Sequence, residues 1–212
     1  QVTLYLAAVD IMKSLRLIIL SLVLYSCTVA PDIPPAPPPP PVDWISSTPP
    51  TMSTIRWIAI GNNGDIFVWN DSILLRSSDN ATSWTPLRST SGGIAALAID
   101  SAGTLYLIQD ASLLYSQDRG VTWALVSFLD STYNYWYLDI HRNGYIFIIA
   151  DKGGNGELLR STNGGSSFQI VLSGYRSTVG PMIITPWNDV YASLTSDYGS
   201  RSTVNRSTDY AD

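Results

Sequence analysis

Residues 116–123, Ser116-Gln117-Asp118-Arg119-Gly120-Val121-Thr122-Trp123, form a short polar motif that ends in an aromatic residue and recurs along the chain. Residues 77–84 and 161–168 are looser copies, and a fourth copy begins at residue 207. The third positions of the copies, 79, 118, 163 and 209, are spaced by 39, 45 and 46 residues. This regular spacing indicates that the chain is built from repeated structural units.

A second repeat keeps the same period. Residues 58–67 (IAIGNNGDIF), 97–106 (LAIDSAGTLY) and 138–147 (LDIHRNGYIF) each place two short apolar segments on either side of a polar turn, and residues 183–191 are a looser fourth copy. Gly64, Gly103 and Gly144 stand 39 and 41 residues apart. Each copy predicts a β-hairpin. A period near forty made only of short strands is typical of a β-propeller blade.

The two repeats together predict an all-β fold, a partial β-propeller of about four blades, each a four-stranded antiparallel sheet. The expected blades are residues 55–92, 93–131, 132–176 and 177–212. A closed ring needs roughly four to eight blades, and the fourth polar motif breaks off at residue 212. We therefore expect this sequence to be part of a longer gene product, with a final blade that lacks its outer strand.

The polar motif resembles the Asp-box, S-x-D-x-G-x-x-W, of the bacterial neuraminidase repeat (BNR) in propellers of the sialidase-like and sortilin-like superfamily. The copy around Asp118 matches every specified position, while the others depart at Ala81, at Asn163 and Phe168, and at Ala211. The resemblance covers about residues 55–212 and implies that the boxes are structural and lie away from the usual binding face. The box residues are Ser77, Asp79, Trp84, Ser116, Asp118, Gly120, Trp123, Ser161, Asn163, Gly165, Phe168, Ser207 and Asp209.

The chemistry of the box explains its residue types. Ser and Asp side chains bond to backbone groups inside a tight hairpin, Gly in the fifth position permits a positive φ, and the closing aromatic ring buries apolar surface against the blade. Asn163 can replace Asp in such a turn. We therefore predict no catalytic role for Asp79, Asp118 or Asp209.

The N-terminal region has the layout of a secretion signal. Met12-Lys13-Ser14-Leu15-Arg16 is basic, and residues 17–26 are apolar but too few to span a membrane as a helix. Residues 24–27 (LYSC) resemble the lipobox of bacterial lipoproteins, in which the Cys becomes the lipidated N-terminus. We therefore predict that residues 12–27 are a lipoprotein signal peptide, that Cys27 is the lipidation site, and that residues 1–11 lie upstream of the start.

Residues 28–52 form a proline-rich linker before the propeller, which we place at residues 53–212. Ten of the 13 prolines fall within residues 31–50, a composition that favours an extended polyproline II spacer. The lipid and the spacer predict a bacterial cell-envelope protein attached to the outer membrane or cell surface.

Composition excludes several functions. The net charge is −5, which argues against a nucleic-acid groove. The single Cys rules out an internal disulfide framework, and the single His rules out a multi-histidine metal site. His141 lies in a turn, and we expect it to be exposed. We expect no cofactor and no metal.

An aromatic cluster is the candidate binding patch. In a regular strand, Tyr133, Tyr135 and Tyr137 share one face and Trp136 takes the other. Stacked aromatic rings suit sugar rings or proline-rich peptides. The alternative is core packing between blades.

Two functions remain open. The first is a binding or interaction module for a protein or a glycan, because sortilin-type receptors and the photosystem assembly factors that carry this repeat are non-catalytic.

The second is a glycoside hydrolase. The exo-sialidase resemblance implies an arginine triad, a Tyr nucleophile assisted by Glu, and an Asp acid/base. Here residues 55–58 (IRWI) hold the only arginine in the expected place, and Glu157, the sole glutamate, lies beside a Gly-rich segment that predicts a solvated hairpin tip. A glycanase with two catalytic aspartates is equally open, although no spacing singles out a pair.

Overall fold

Fifteen strands make up the described part of the chain in a computed structural model, which describes residues 45–49, 54–174, 176–185, 189–196 and 201–207. Cys27, Asp209 and Ala211 lie outside these residues. Within the described ranges there is no helix of the length and apolar character that a membrane crossing requires.

The strands form four antiparallel sheets in chain order. The first sheet contains β1 (Trp57–Ile60), β2 (Ile66–Trp69), β3 (Ile73–Ser77) and β4 (Thr85–Ser89). The second contains β5 (Ile94–Ile99), β6 (Leu105–Gln109), β7 (Ser112–Ser116) and β8 (Ala124–Phe128). The third contains β9 (Asn134–Ile140), β10 (Ile146–Lys152), β11 (Asn155–Ser161) and β12 (Gln169–Ser173). The fourth contains β13 (Thr178–Ile184), β14 (Val190–Ser196) and β15 (Arg201–Ser207). This architecture confirms the predicted all-β fold and the partial propeller.

Each sheet is a four-strand or three-strand meander whose strands lie side by side in sequence order. The first strand of one sheet contacts the next sheet: β1 meets β5, β5 meets β9, and β13 meets β10 and β11. Successive sheets therefore pack face to face as blades, with the first strands β1, β5, β9 and β13 on the inner side.

The core lies between successive blades, and β10 shows why. Its run Ile146–Ala150 is apolar at every position and buried throughout, as expected for a strand covered on both faces. Ile146, Ile148 and Ala150 pack towards the second blade. Phe147 and Ile149 pack towards the fourth. A fully buried side chain of this size stabilises the fold by about 1.5–3 kcal/mol relative to exposure.

The first hairpin of each blade repeats the same backbone geometry. The amide of the first turn residue donates to the carbonyl four residues later, at 2.8 Å from Gly61, 3.0 Å from Asp100, 2.8 Å from His141 and 2.9 Å from Thr185. Because the strands run up and down, these hairpins and the Asp-boxes lie at one end of each blade, the box end. The middle hairpins and the segments that cross to the next blade lie at the other, the crossover end.

His141 corrects one expectation. It is buried, at 3% exposure, although it lies in a turn. Its Nδ1 accepts a hydrogen bond from the amide of Asn143 at 3.3 Å, and its ring lies 6.5 Å from that of Tyr145. Asp100, at the same place in the second blade, accepts from the amides of Ala102 and Thr104. The imidazole therefore accepts a hydrogen bond within its turn as that carboxylate does, and it is the more buried of the two.

Candidate functional site

The second Asp-box is closed on itself by hydrogen bonds. The Ser116 hydroxyl donates to Asp118 Oδ1 at 2.8 Å and accepts from the Gly120 amide at 2.8 Å. Asp118 also accepts from the amide and hydroxyl of Thr122, at 2.8 and 2.6 Å. These bonds hold the pKa of Asp118 at about 2, the largest cause being the Thr122 hydroxyl. All of these hydrogen bonds lie within the turn, so the Asp118 carboxylate acts to close the turn.

The first and third boxes repeat the network. Asp79 accepts from the hydroxyl of Ser77 and from the amide and hydroxyl of Ser83, and its pKa is likewise about 2. Asn163 accepts from the hydroxyl of Ser161. This geometry is the one that a structural role requires. Ser207 is the last residue of β15, and Asp209 lies outside the described residues.

The closing aromatic residues are half-buried, and those of the second and third boxes turn towards the preceding blade. Trp123 packs in the core between the first two blades, and its Nε1 donates to the Gly120 carbonyl at 2.9 Å. Phe168 packs in the core between the second and third blades. Trp84 packs against Val68 and its neighbours on the face of the first blade that turns away from the second blade.

The candidate binding tyrosines do not share one face. Tyr133 and Tyr135 stack with ring centroids 6.0 Å apart and pack against the core between the second and third blades. Tyr137 corrects the expectation, because Tyr135 pairs with Ala150 while Tyr137 pairs with the adjacent Ile149. Trp136 is thus an extra residue in a β-bulge, which reverses the alternation of faces.

Polar groups surround the stacked tyrosines at the crossover end. The Tyr133 hydroxyl donates to Glu157 Oε2 at 2.5 Å, and the Tyr135 hydroxyl donates to the Asp130 carbonyl at 2.8 Å. Lys152 Nζ lies 2.9 Å from Asp130 Oδ2 and 4.8 Å from the centre of the Tyr133 ring. Tyr133 and Tyr135 are therefore held at both ends, by the core and by these polar partners.

The same contacts shift the ionisation of the cluster. The hydrogen bond to Glu157, followed by burial, raises the pKa of Tyr133 to about 12. Burial raises the pKa of Tyr135 to about 12. The hydroxyl and amide of Thr132, followed by Lys152, hold the pKa of Asp130 well below its usual range. Both phenols are thus protonated donors at neutral pH.

Glu157 corrects a second expectation. It was predicted at a solvated hairpin tip, but it lies in β11 opposite Ala150 and is half-buried. Gly153 and Gly154 form the tip, both with positive φ. The register of β10 and β11 instead places the Glu157 carboxylate within hydrogen-bond distance of the Tyr133 hydroxyl.

Two cavities lie on either side of Trp136, whose side chain is 59% exposed. The first, of about 260 Å³, is lined by the inner strands β1, β5 and β9, including Trp57, Tyr137 and Asp139. The second, of about 230 Å³, lies between the third and fourth blades against Ile149 and Val179. We call Trp136 and these two cavities the Trp136 site.

The first cavity has aromatic walls and one acidic group. Trp57 and Trp69 are stacked at 6.0 Å with 16° between their planes. Trp69 Nε1 is buried without a hydrogen-bond partner within the described part of the chain. Burial raises the pKa of Asp139, and the amide of Ile140 donates to its Oδ1 at 2.8 Å. The cavity therefore suits an apolar group that carries a hydrogen-bond donor for the carboxylate.

The sequence pointed to the aromatic segment that contains Trp136 and Tyr137, but not to the cavities beside it. Trp57 belongs to the first blade and Trp136 and Asp139 to the third, so they meet only because the inner strands converge. The signal in the sequence that could have indicated this site is the presence of aromatic residues, such as Trp57 and Trp136, in the first strand of a blade. Among the described residues, no group of three or more His, Cys, Asp or Glu side chains is placed to hold a metal ion.

Comparison with known proteins identifies the fold class. No protein-family profile and no curated protein sequence matches the chain. The chain is similar to a structure of YCF48 bound to D1 peptide, with a TM-score of 0.54 and 14% identity over 74% of this chain and 56% of that one. It is also similar to virginiamycin B lyase from Staphylococcus aureus, with a TM-score of 0.53 and 8% identity over 76% and 58% of the two chains.

A structure of a nidogen/laminin complex gives a TM-score of 0.54 and 13% identity, over 71% of this chain and 64% of that one. The chain thus spans between half and two thirds of the length of these proteins. At such identities the similarity establishes the fold alone. The blade packing and these neighbours together define a β-propeller-type protein.

Proposed function

We propose that this chain is a lipid-anchored, extracytoplasmic binding module that takes an apolar peptide segment at the Trp136 site. The observation that carries the proposal is the exposed indole of Trp136, set on a β-bulge between two cavities. A large exposed aromatic residue between concave apolar surfaces is the usual composition of a binding hot spot.

The cavity walls favour a peptide over a glycan. The first cavity is lined mainly by alanines, isoleucines, leucines and indoles, with Asp139 and Tyr137 as its ionisable residues. The second is lined by Ile149, Ala150 and Val179 beside Asp151. A sugar needs many polar partners, whereas an extended peptide can place successive side chains in two neighbouring apolar cavities. The peptide held by YCF48 and the protein partner of nidogen support this choice.

The anchoring part of the proposal is supported by the N-terminal sequence. A basic segment, an apolar segment and Cys27 precede the proline-rich linker. This order fits a lipoprotein of the bacterial cell envelope, in which a spacer holds the propeller away from the membrane.

The test is a peptide selection with a matched control. Random peptides displayed on phage are selected on the wild-type chain and then measured against Trp136→Ala and Phe128→Ala. Phe128 is 80% exposed on an outer strand and serves as the control for loss of an exposed ring. We expect apolar peptides whose binding falls at least about tenfold in Trp136→Ala, a loss of about 1.4 kcal/mol, and is unchanged in Phe128→Ala.

Two results contradict the proposal. One is a set of peptides that bind both variants equally, which would place the binding surface elsewhere. The other is the absence of peptide binders together with glycan-array binding that Trp136→Ala abolishes, which would assign the site to a glycan. Both variants must melt at the wild-type temperature for either result to count.

A glycoside hydrolase is the second candidate, favoured by the contact between Tyr133 and Glu157. A pKa of about 12 for Tyr133 opposes its use as a nucleophile, and Arg56 is engaged with Asp71 at 2.9 Å. We expect no release of fluorophore from 4-methylumbelliferyl sialoside. Turnover that disappears in Glu157→Gln would replace the binding proposal by this one.

A further inference from the structure

A third cavity lies at the box end, between the first and second blades, and has a volume of about 250 Å³. Its walls come from the first hairpins of both blades and from the second Asp-box, and they include Asp65, Phe67, Leu105 and Arg119. Trp136 has no part in these walls. We call this space the Asp65 cavity.

Asp65 is a buried carboxylate that lacks a hydrogen-bond donor at one oxygen. The residue is 3% exposed, and its Oδ2 has no hydrogen-bond partner within the described part of the chain. Arg119 Nη1 lies 3.9 Å from this oxygen, which is too far for a hydrogen bond. Because a buried charged oxygen without a donor is unfavourable, the cavity beside Asp65 is a place for a missing donor.

The fourth blade shows which group can fill the equivalent place. Asp65 and Asp189 each directly precede the second strand of their blade. Arg76 and Arg206 each directly precede the serine that opens an Asp-box. In the fourth blade Arg206 Nη2 donates to Asp189 Oδ2 at 2.7 Å, and its guanidinium carbon lies 5.7 Å from the centre of the Tyr191 ring. A carboxylate and an aromatic ring thus hold a guanidinium there.

In the first blade the equivalent arginine is engaged with the neighbouring blade. Arg76 Nη1 donates to the Arg119 carbonyl at 3.0 Å. Phe67 takes the place that Tyr191 has in the fourth blade, since Phe67 pairs with Arg76 as Tyr191 pairs with Arg206. Phe67 and the Asp65 carboxylate both line the cavity. The two groups that hold a guanidinium in the fourth blade are therefore present, while Arg76 is directed away from them.

We propose that the Asp65 cavity binds a guanidinium group, carried by an arginine side chain of a partner protein. A planar guanidinium can donate to a carboxylate through two N–H groups, and the Phe67 ring provides an aromatic wall for the cation. Leu105 and Ile99 offer apolar surface to the methylene groups of the arginine. The side chain of Arg119 is 59% exposed, so it can turn into solvent when the ligand enters.

The test uses matched ligands on the full chain. Nα-acetyl-arginine amide and Nα-acetyl-citrulline amide have nearly the same shape, but the citrulline side chain is uncharged. Binding is followed by NMR through the backbone amides of Asn63 and Gly103, which line the cavity. We expect the arginine amide to bind at least about tenfold more tightly than the citrulline amide, because only a cation neutralises the carboxylate.

Two further ligands define the chemical group. Nα-acetyl-lysine amide carries the same charge on an ammonium and should bind several-fold more weakly, since it lacks the planar pair of donors. Methylguanidinium should also bind more weakly, because it lacks the methylene groups and the amide backbone. Equal binding of the lysine amide would overturn the assignment to a guanidinium. Equal binding of methylguanidinium would overturn an arginine side chain as its source.

Three variants locate the binding. Asp65→Asn keeps the shape of the side chain and removes its charge, so it should weaken binding of the arginine amide at least about tenfold. Asp189→Asn makes the same change in the fourth blade, where Arg206 already fills the place, and should leave binding unchanged. Arg119→Gln removes a competing cation and should strengthen binding several-fold.

The proposal is wrong if the arginine and citrulline amides bind equally, or if Asp65→Asn binds the arginine amide as the wild type does. If Asp65→Asn does not fold, Arg119→Gln decides, because weaker binding in that variant would contradict the displacement of Arg119. Trp136→Ala should bind the arginine amide as the wild type does. A failure at the Asp65 cavity therefore leaves the peptide proposal at the Trp136 site untouched.

Discussion

Asn163 accepts a hydrogen bond from the hydroxyl of Ser161 at 2.8 Å, the distance at which Asp118 accepts from Ser116. Asn163 Oδ1 also accepts from the Ser167 amide at 3.0 Å, and its Nδ2 donates to the Ser167 hydroxyl at 2.8 Å. An amide therefore fills the place of the carboxylate by reversing the direction of one side-chain bond. The box depends on the shape of the side chain more than on its charge.

The first prediction separates shape from charge in the second box. Asp118→Asn should melt close to the wild type, because the amide can make the bonds that Asn163 makes in the third box. Asp118→Ala should melt several degrees lower, because the Thr122 amide and the Ser116 hydroxyl lose their acceptor. Differential scanning calorimetry of the two variants measures this. Equal melting temperatures for Asn and Ala would contradict the role given to these bonds.

The second prediction concerns acid. The pKa values of Asp79 and Asp118 are about 2 in the folded chain, below the ordinary 3.8. A lowered folded pKa gives stability that is complete above about pH 4 and is lost as the pH falls towards 2. Urea unfolding at pH 5, 3 and 2 should show this loss, and it should be smaller in the double variant Asp79→Asn, Asp118→Asn.

Asp130 remains in that double variant, and its pKa is lowered as well. Some dependence on pH should therefore persist, which makes the difference between the two proteins the quantity to measure. An identical slope in both would mean that the boxes contribute nothing to acid sensitivity.

The third prediction concerns the fifth position of the box. Gly120 has φ of +87°, and a Cβ there would lie 2.6 Å from Leu87 Cδ1 on the preceding blade. Gly120→Ala should cost about 2 kcal/mol of unfolding free energy through strain and overpacking. Ala81 already holds φ of +64°, so Ala81→Gly should be neutral or stabilising by up to about 1 kcal/mol. Chemical denaturation of both variants checks the opposite signs.

The sequence was sufficient for the fold because the two repeats report different parts of one blade. The hairpin repeat around Gly64 marks the first two strands, and the box marks the turn before the outer strand. Their shared period of about forty residues sets the blade boundaries. Each signal is local in the chain, which is why a single sequence reveals it.

The Trp136 site was not predictable in the same way. The bulge between Tyr135 and Tyr137 reverses the faces of the strand, and nothing in a run of alternating aromatic residues marks where an extra residue falls. The burial of Glu157 depends on the register of β10 with β11. The first cavity requires three blades to converge, a relation between residues that are far apart in sequence.

The fourth prediction concerns Cys27, which lies outside the described residues. We expect radiolabelled palmitate to enter the wild-type chain in a bacterial host and not the Cys27→Ser variant, because the acyl chains attach through the thiol and the new amino terminus. Ser26→Ala keeps a small residue before the cysteine and serves as the control that should still be labelled. Equal labelling of the wild type and Cys27→Ser would remove the lipid anchor from the proposal.

The last prediction concerns the edge of the fourth sheet in the 212-residue chain. Among the described residues β15 lies at the end of the strand order β13-β14-β15, and Val204 on it is 78% exposed. An unpaired strand edge with exposed apolar residues favours association between chains. We expect light scattering to show oligomers of the wild-type chain and a smaller oligomeric fraction in Val204→Lys. Association would bury the charge of this lysine, which opposes pairing of the two strand edges. Val121→Lys adds the same charge at a residue 65% exposed in the second Asp-box and should leave association unchanged. A monodisperse wild-type chain, or an equal effect of both lysines, would show that β15 is not the associating edge.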